Sequence, residues 1–195
     1  TAFMAMDALE RVGFKKRPVM LLLQSDEEVG SQLSNKATIN YICEKAKDAV
    51  GFINLEGANG DTAVLERKGI LRVRINIKGK AAHSSRCYDG INAITEAAHK
   101  IIELEKYKDP ENITCNCGVI SGGTVGNAVA AECYFIADFR YKTNDNLEEI
   151  KQTVTHLCEN TTLDGCVCSY EITNNRPPMV LCERNINFLT KMNEI

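Results

Sequence analysis

The sequence predicts a mixed fold in which an α/β segment with parallel strands is followed by an α+β domain of ferredoxin-like order, β-α-β-β-α-β. Two observations carry this prediction. Continuous apolar runs at residues 19–23 and 50–55 flank a helical pattern, which is typical of parallel strands buried on both faces. From about residue 70 the apolar and polar residues alternate instead, which is typical of a half-exposed strand.

The first part of the chain has the pattern helix, strand, helix, strand. Residues 2–12 place apolar side chains on one helical face, and Gly13 ends that helix. Between the two strands, a second helical face consists of Ile39, Ile42, Ala46 and Ala49. Because a strand–helix–strand unit connects parallel strands, we expect the runs at 19–23 and 50–55 to lie side by side.

Residues 70–175 supply the six elements of the second domain. Strands are predicted at 71–78, near 114–120, at 130–141 and from about 166 to 172. The two helices have predicted buried faces consisting of Ile91, Ile94, Ala98 and Ile101, and of Leu147, Ile150, Val154 and Leu157. The expected form is one antiparallel sheet with both helices on one face, and the strand near 114–120 at one rim.

Composition argues against several classes of protein. The 195 residues are 44% hydrophobic and 25% charged, with a net charge of −3, which is ordinary for a soluble globular protein. No basic stripe interleaved with aromatics is present, so no nucleic-acid partner is expected. No apolar run approaches the ~20 residues that span a bilayer, so no membrane association is expected. Because the chain opens at Thr1 and ends at Ile195 inside helical patterns, we expect it to be part of a longer protein.

Nine cysteines are present without any Cys-x-x-Cys pair. Cys115 and Cys117, like Cys166 and Cys168, are i,i+2 pairs on predicted strands, so each pair faces one side of a sheet. We expect reduced, packed thiols and a cytoplasmic protein. A zinc site built from these thiols is the alternative, although zinc-binding cysteines usually carry a recognisable spacing.

Carboxylates follow both predicted parallel strands. Asp26, Glu27 and Glu28 come after the first strand, and Glu56 ends the second. The tips of neighbouring strands lie roughly 5 Å apart, so these side chains could share one site, with one glutamate holding a metal and its neighbour handling protons. The alternative is a solvated acidic turn that interacts with the following helix N-terminus, and spacing alone favours that alternative.

Several segments, in chain order, resemble the M20 metallopeptidases, the group that contains glutamate carboxypeptidase and the acetylornithine and succinyl-diaminopimelate deacylases. The matching segments cover nearly the whole chain and are Ser25-Asp26-Glu27-Glu28-Val29-Gly30-Ser31, Asn54-Leu55-Glu56-Gly57, residues 68–69 and 73–84, the loop 118–127, Ala137-Asp138-Phe139-Arg140 and Arg176-Pro177-Pro178. The family's His-x-Asp segment and its final zinc histidine are absent. Ala130 also stands where the family loop often has proline.

The resemblance implies a metal centre. Glu27 would be the general base, Glu28 would bind one zinc and Glu56 the other. Two zinc ions per active site are implied, with an incomplete ligand set in this chain. His99 and His156 lie off the apolar stripes of their helices, so both are predicted to be surface residues.

The resemblance also implies substrate contacts and a dimer. His83 would reach into the partner's active site of a homodimer and polarise the scissile carbonyl. Asn127 and Arg176 would bind the substrate, with Arg176 suited to a free carboxylate. The alternative for Arg176 is a solvated arginine at a linker.

Three domain ranges and a function follow from the resemblance. The ranges are a partial zinc-hydrolase catalytic domain at 1–69, a lid or dimerisation domain at 70–177, and a return into the catalytic domain at 178–195. The implied function is dinuclear zinc-dependent, carboxypeptidase-like hydrolysis of peptide or N-acyl amino acid amide bonds, and this chain alone is expected to be inactive. The alternative is a non-catalytic dimerisation or binding module of ferredoxin-like fold.

Overall fold

The computed structural model of the chain describes residues 1–57 and 62–194. Residues 58–61, which fall in the first predicted domain, and residue 195, which falls in the third, lie outside the described residues. None of the helices formed by the described residues is long and apolar enough to cross a membrane. The chain divides into two compact units, Thr1–Gly57 and Ala58–Ile195, and the three predicted domain ranges stay predictions.

The smaller unit, Thr1–Gly57, contains two helices and a long turn. Helix α1 (Ala2–Arg11) ends as predicted, because Gly13 adopts a left-handed φ of 66° and its amide donates to the Glu10 carbonyl at 2.9 Å. Helix α2 (Ala37–Ala46) follows a series of turns. Its N-cap residue, Lys36, is left-handed with a φ of 68°.

The two apolar runs of this unit form no strand, and this differs from the prediction. Residues 19–23 and 50–55 have no sheet pairing. Leu23 and Leu55 expose 75% and 70% of their surface. A parallel strand is stabilised by neighbouring strands and by cover on both faces. The residues of Thr1–Gly57 provide neither neighbouring strands nor cover on both faces, so both runs stay unpaired although their composition favours a strand.

The larger unit, Ala58–Ile195, is built on a four-stranded antiparallel sheet. Its elements are β1 (Gly69–Lys78), a 3₁₀ segment (Ser84–Asp89), α3 (Ala93–Leu104), β2 (Ile113–Gly122), β3 (Glu132–Tyr141), α4 (Asn144–Glu159), β4 (Val167–Arg176) and α5 (Glu183–Asn193). The strand order is β2-β3-β1-β4, and every neighbouring pair is antiparallel. This arrangement confirms the predicted ferredoxin-like order and the position of β2 at one rim.

One hydrophobic core lies between the sheet and the helices α3 and α4. The alternation in β1 sends Leu71, Val73, Ile75 and Ile77 into this core. Phe135 and Phe139 enter it from β3, where Phe139 is the register partner of Leu71. Ile150 and Val154 of α4 close it, which confirms the face predicted for that helix. Each such fully buried side chain contributes roughly 1.5–3 kcal/mol.

The face predicted for helix α3 is only partly buried, since Ile91 and Ile101 pack against the core and the remaining two residues do not. Ile94 and Ala98 are exposed, and the buried residues are Ala93, Glu96, Ala97, Lys100 and Leu104. The two alanines are small, so the helix can approach the sheet closely. The helix therefore turns a charged pair inward and leaves part of its apolar stripe in solvent.

The buried charges of α3 are fully hydrogen-bonded, which is what permits their burial. Glu96 lies 3.0 Å from the Lys100 ammonium and accepts hydrogen bonds from the amides of Thr162 and Leu163 at 2.8–3.0 Å. The Lys100 ammonium also donates to the Asn160 carbonyl. This network fixes the segment between α4 and β4 against α3, and the hydrophobic pattern of the sequence gives no sign of it.

Candidate functional site

Three predicted site residues of the smaller unit come together. Glu27, Glu28 and Glu56 each offer one carboxylate oxygen, and these atoms all lie within 4.8 Å of one another. All three side chains are exposed. The carboxylates therefore converge as the sequence predicted, although the predicted pair of strands is not formed.

A tight turn places the adjacent glutamates. The Gly30 amide donates to the Glu27 carbonyl at 2.7 Å, and the Ser31 amide donates to the Asp26 carbonyl at 2.8 Å. Gly30 and Ser31 both adopt left-handed φ values, 63° and 60°, which serine accepts only when other contacts hold it there. The turn therefore depends on stabilisation from elsewhere in the unit.

The side chain of Asn54 bends the backbone that carries Glu56, the third member of the cluster. The Glu56 amide donates to the Asn54 side-chain oxygen at 3.1 Å. Such a bond between a side chain and the backbone two residues on is an Asx turn. It bends the chain locally at the position from which Glu56 projects.

Asp26 is a residue whose importance the sequence did not reveal. Its side chain is buried, with 4% exposure, and it accepts hydrogen bonds from Ser34, Thr38 and Gln24. The Ser34 hydroxyl, followed by that of Thr38, outweighs the opposing effect of burial and lowers the pKa of Asp26 from 3.8 to about 2. The hydroxyl residues downstream were the available signal, but hydroxyls are common near helix starts.

His83 and Asn127 lie close to each other in the larger unit. The Ser84 amide donates to the Asn127 carbonyl at 2.9 Å, and the backbone of His83 forms an isolated antiparallel β-bridge with that of Ala128. The His83 side chain is exposed, and its Nδ1 accepts from the Ser85 amide at 3.3 Å. The structure thus brings the predicted catalytic histidine and one of the predicted substrate-binding residues, Asn127, to one surface.

The glycines of the loop 121–127 make this approach possible. A Cβ on Gly122 would lie 2.8 Å from the Cys133 Cβ and 2.9 Å from the Glu132 carbonyl oxygen. Gly123 has a left-handed φ of 71°, a conformation that glycine adopts at little cost. The loop then returns to the body of the unit through the Val129 amide, which donates to the Ala82 carbonyl at 2.8 Å.

Arg176 is the last residue of β4 and is exposed. It pairs with Ile70 of β1, and its carbonyl accepts from the Tyr141 hydroxyl at 3.1 Å. Its backbone is therefore fixed to the sheet immediately before Pro177. The position of the Arg176 Cα, from which the side chain extends, is therefore fixed.

A charged cluster on the open face of the sheet, Arg72–Asp138–Arg140, was not predicted. The Asp138 carboxylate accepts from Arg72 at 2.7 and 3.0 Å, and from Arg140 at 2.8 Å. Both arginines are about two-fifths exposed, while Asp138 is largely covered. Within the matched segment 137–140, the aspartate thus orients two guanidinium groups across neighbouring strands.

The remaining histidines agree with the predictions made for them, whereas the cysteines agree only in part, because Cys43, Cys87 and Cys182 are exposed rather than packed. His99 and His156 are exposed. All nine cysteines are free thiols, and Cys115, Cys133 and Cys166 are buried. Burial raises the pKa of the Cys133 thiol, which makes it a packed apolar group rather than a reactive one.

Comparison with known proteins identifies the larger unit. The model of the M20 peptidase dimerisation domain matches residues 65–166. Carboxypeptidase G2 of Pseudomonas sp. (strain RS-16) is 28% identical over 163 residues, which cover 82% of this chain and 38% of that protein. An acetylornithine deacetylase of Myxococcus xanthus is 26% identical over 149 residues, covering 70% of this chain and 38% of that protein.

A solved structure supports the same fold. The aminopeptidase PepT from Bacillus cereus ATCC 10987 superposes with a TM-score of 0.52 over 62% of this chain and 33% of that one, at 23% identity. The chain thus spans about two-fifths of the length of both curated relatives. Because the domain model matches more than half of its residues, the chain belongs to the M20 peptidase family and carries the dimerisation domain of that family.

Proposed function

We propose that this chain supplies part of the metal centre and the lid of a carboxypeptidase-like M20 hydrolase. The substrate would be a peptide or an N-acyl amino acid, cleaved at its amide bond. The convergence of Glu27, Glu28 and Glu56 within 4.8 Å is the observation that carries the proposal. Relatives named a carboxypeptidase and a deacetylase support this class of reaction.

The donor chemistry of the cluster fits a divalent metal ion. Carboxylate oxygens are metal ligands for zinc and for harder ions, and exposed side chains can adjust to an incoming ion. Glu28 and Glu56 would each hold one of two zinc ions. No histidine or cysteine of the described residues joins these carboxylates, and a zinc site normally has three or four protein ligands. We therefore expect the chain alone to lack hydrolase activity.

The proposed chemistry divides the work between adjacent glutamates. A bound metal would act as a Lewis acid toward the scissile carbonyl and acidify a nearby water. Glu27 would accept a proton from the attacking water and return it to the leaving amine. That role requires Glu27 to remain uncoordinated, which is why we assign the ligand role to its neighbour.

His83 suits the task of polarising a carbonyl. Its Nδ1 lies 2.8 Å from the Ser85 hydroxyl and 3.3 Å from the Ser85 amide, which leaves Nε2 as the ring nitrogen available to a substrate. An exposed Nε2–H can donate to a developing negative charge on oxygen. We propose that His83 does so for the active site of a partner subunit, with Asn127 binding the same substrate.

Arg176 is the proposed contact for the substrate carboxylate. A guanidinium can hold a carboxylate through two parallel hydrogen bonds, and the bond from Tyr141 to its carbonyl fixes the backbone from which it extends. A solvated arginine at a linker is the competing role. Loss of activity that is confined to substrates with a free carboxylate would distinguish the two.

We further propose a homodimer formed through the rim of the lid. Strand β2 is an edge strand, and Val119 and Ile120 on it are about half exposed. Edge strands present unpaired backbone groups that pair readily with another chain. The exposed stripe of α3, which contains Ile94, Ala98 and Ile102, lies on the helix that packs over β2 and β3.

The dimer can be tested with two matched substitutions. Ile102→Glu should convert a dimer to a monomer, because it places charge in the proposed contact. Val167→Glu, on the opposite edge strand β4 and equally exposed at 63%, should leave the dimer intact. Sedimentation velocity measures both. A wild-type monomer at high micromolar concentration, or equal effects of the two changes, would contradict the proposal.

The cytoplasm is the proposed location. All nine cysteines are free thiols, and the Cys168 thiol donates to the Cys158 sulfur at 3.3 Å instead of forming a disulfide with it. Free cysteines in such proximity are typical of a reducing compartment.

A second candidate function is a non-catalytic dimerisation or binding module. It is favoured by one observation: every buried hydrophobic side chain among the described residues lies in the larger unit, between Leu71 and Cys166. Such a module needs no metal. Metal binding by the three glutamates therefore separates the two candidates.

The deciding experiment compares metal binding by single variants. Mn²⁺ is the suitable probe, because it prefers oxygen ligands and avoids the exposed thiols of Cys43, Cys87 and Cys182. Glu28→Gln should weaken binding strongly, and Glu27→Gln should weaken it much less because the base is not a ligand. Equal losses would refute the assigned roles. Turnover of an N-acyl amino acid by this chain would contradict its expected inactivity.

A further inference from the structure

The carboxylate directly before the glutamate pair is buried, although its neighbours are exposed. Asp26 has 4% exposure, whereas Glu27 and Glu28 lie in solvent. Asp26 and Ser31 are the only buried side chains of Thr1–Gly57. A buried charge is retained only where hydrogen bonds replace the lost water, so the surroundings of Asp26 are specific.

Both carboxylate oxygens of Asp26 accept hydrogen bonds. Oδ2 accepts from the Ser34 amide at 3.0 Å and from the Ser34 hydroxyl at 2.7 Å. Oδ1 accepts from the Thr38 hydroxyl at 2.7 Å and more weakly from the Gln24 amide group at 3.4 Å. Thr38 belongs to α2. One side chain therefore joins the start of the turn, the end of the turn and the helix that follows.

The bonds of Asp26 span the strained part of the turn. Between Asp26 and Ser34 lie Gly30 and Ser31, both left-handed. Ser31 is also held by its amide, which donates to the Asp26 carbonyl at 2.8 Å, and by its hydroxyl, which accepts from Gln24 at 2.5 Å. A serine in this conformation is unfavourable by itself, so these contacts keep the turn closed.

Asp26 is not itself placed to be a metal ligand. Its oxygens are engaged by the hydroxyl and amide donors, and the group of converging donor atoms contains Glu27, Glu28 and Glu56 without it. Its influence on a metal must therefore act through the backbone that carries the adjacent glutamates.

We propose that Asp26 is a positioning residue, which ties the turn to Ser34 and Thr38 so that Glu27 and Glu28 stay within ligand distance of Glu56. This inference rests on the proposed metal site. Residues that hold metal ligands in place typically change metal affinity 10- to 100-fold when they are replaced, so the effect is large enough to measure.

Thr38 provides a test that leaves the charge unchanged. Asp26→Asn alone is ambiguous, because it removes a negative charge near the metal and also replaces one of the two acceptor oxygens by a donor NH2 group. Thr38→Val keeps the shape of the side chain and removes only the hydroxyl that donates to Oδ1, whereas Thr38→Ser keeps that hydroxyl. We expect Thr38→Val to weaken Mn²⁺ binding to the chain and Thr38→Ser to restore wild-type affinity.

Asp26→Asn has its own matched control and a coupled variant. It should weaken Mn²⁺ binding about tenfold, while Asp48→Asn, which removes the same charge from an exposed position, should leave the dissociation constant unchanged. Thr38→Val should add little to the loss in Asp26→Asn, because both act on one hydrogen bond. The amide spectrum of β1 and β3 verifies that every variant keeps its folded sheet.

The outcomes separate the two proposals. If Glu28→Gln loses Mn²⁺ while Asp26→Asn and Thr38→Val bind it like the wild type, the positioning role is refuted and the metal site stands. If Thr38→Ser binds as poorly as Thr38→Val, the hydroxyl is not the cause, and the positioning role is again refuted. If Glu28→Gln binds Mn²⁺ as well as the wild type does, the metal site falls and the positioning role falls with it.

Discussion

The two units of the chain differ in what holds them together. In Ala58–Ile195, a hydrophobic core between sheet and helices buries side chains such as Phe135 and Phe139 completely. In Thr1–Gly57, no described hydrophobic side chain is buried, and the buried groups are Asp26 and Ser31. The larger unit is therefore stabilised by burial of apolar side chains, whereas the turn of the smaller unit is stabilised by hydrogen bonds.

This difference separates stability from chemical geometry. Burial of apolar surface is the dominant favourable contribution to folding, so the sheet unit contains most of what stabilises the chain. Hydrogen bonds contribute less net free energy but fix direction. The converging glutamates belong to the unit whose turn is fixed by hydrogen bonds and which has no hydrophobic core. The sheet belongs to the unit that has a hydrophobic core as well as hydrogen bonds.

The largest expected effect is a difference in unfolding free energy between two phenylalanine substitutions, one in each unit. Phe135→Ala removes a fully buried ring and should lower the free energy of unfolding by about 3–5 kcal/mol. Phe52→Ala removes a ring that is 58% exposed and should change it by less than about 0.5 kcal/mol. Chemical denaturation followed by circular dichroism measures both, and comparable losses would mean that the smaller unit has a core of its own.

A somewhat smaller effect is expected for the buried charges of α3. Glu96→Gln leaves the Lys100 ammonium buried without its counter-charge and should cost about 3 kcal/mol. Glu103→Gln, on the same helix, breaks an exposed pair with Lys106 and should cost less than about 1 kcal/mol. Denaturation midpoints of the two variants give the comparison, and equal midpoints would show that burial of the pair is immaterial.

The smallest expected effect is a pH dependence that Glu96 confers on the sheet unit. Burial opposes its ionisation, but the hydrogen bonds from Thr162, Leu163 and Lys100 together outweigh burial and lower the pKa of Glu96 below its usual 4.5. The stabilisation that results is fully present above about pH 4.5. It is lost as the pH falls through the lower pKa that Glu96 has in the folded state.

The Glu96→Gln variant isolates this contribution. Other carboxylates also have lowered pKa values, among them Glu105 and Asp109, so the informative quantity is the difference between wild type and variant. That difference in unfolding free energy should shrink as the pH is lowered below about 4.5. A difference that stays constant down to acid unfolding would contradict the role given to the Glu96 carboxylate.

The sequence predicted the sheet unit well because its pattern and its packing agree. Leu71, Val73, Ile75 and Ile77 alternate in the sequence and point into the core of the structure. The buried face of α3 was predicted only in part because a hydrophobic count treats Glu96 and Lys100 as surface residues. Their burial depends on the Thr162 and Leu163 amides, which lie far away in the sequence.

Prediction of the candidate site was partial for a similar reason. Glu27, Glu28 and Glu56 were proposed from their positions after apolar runs and from the family resemblance, and their carboxylates lie close together. Asp26 was not singled out, because its role depends on hydroxyls at Ser34 and Thr38 that only the fold of the turn brings to it. Asp138 was matched as a motif, but its bond to Arg72 follows from strand register alone.

The most direct test of the account is to map Mn²⁺ on the chain by nuclear magnetic resonance. A bound paramagnetic ion broadens the amide signals near it, so the site is located without any assumption about activity. We predict selective broadening of the amide signals around Glu27, Glu28 and Glu56 at low metal ratios, and loss of that broadening in Glu28→Gln. Broadening centred on other carboxylates, or broadening that Glu28→Gln leaves unchanged, would contradict the claim that the metal site lies at these three glutamates.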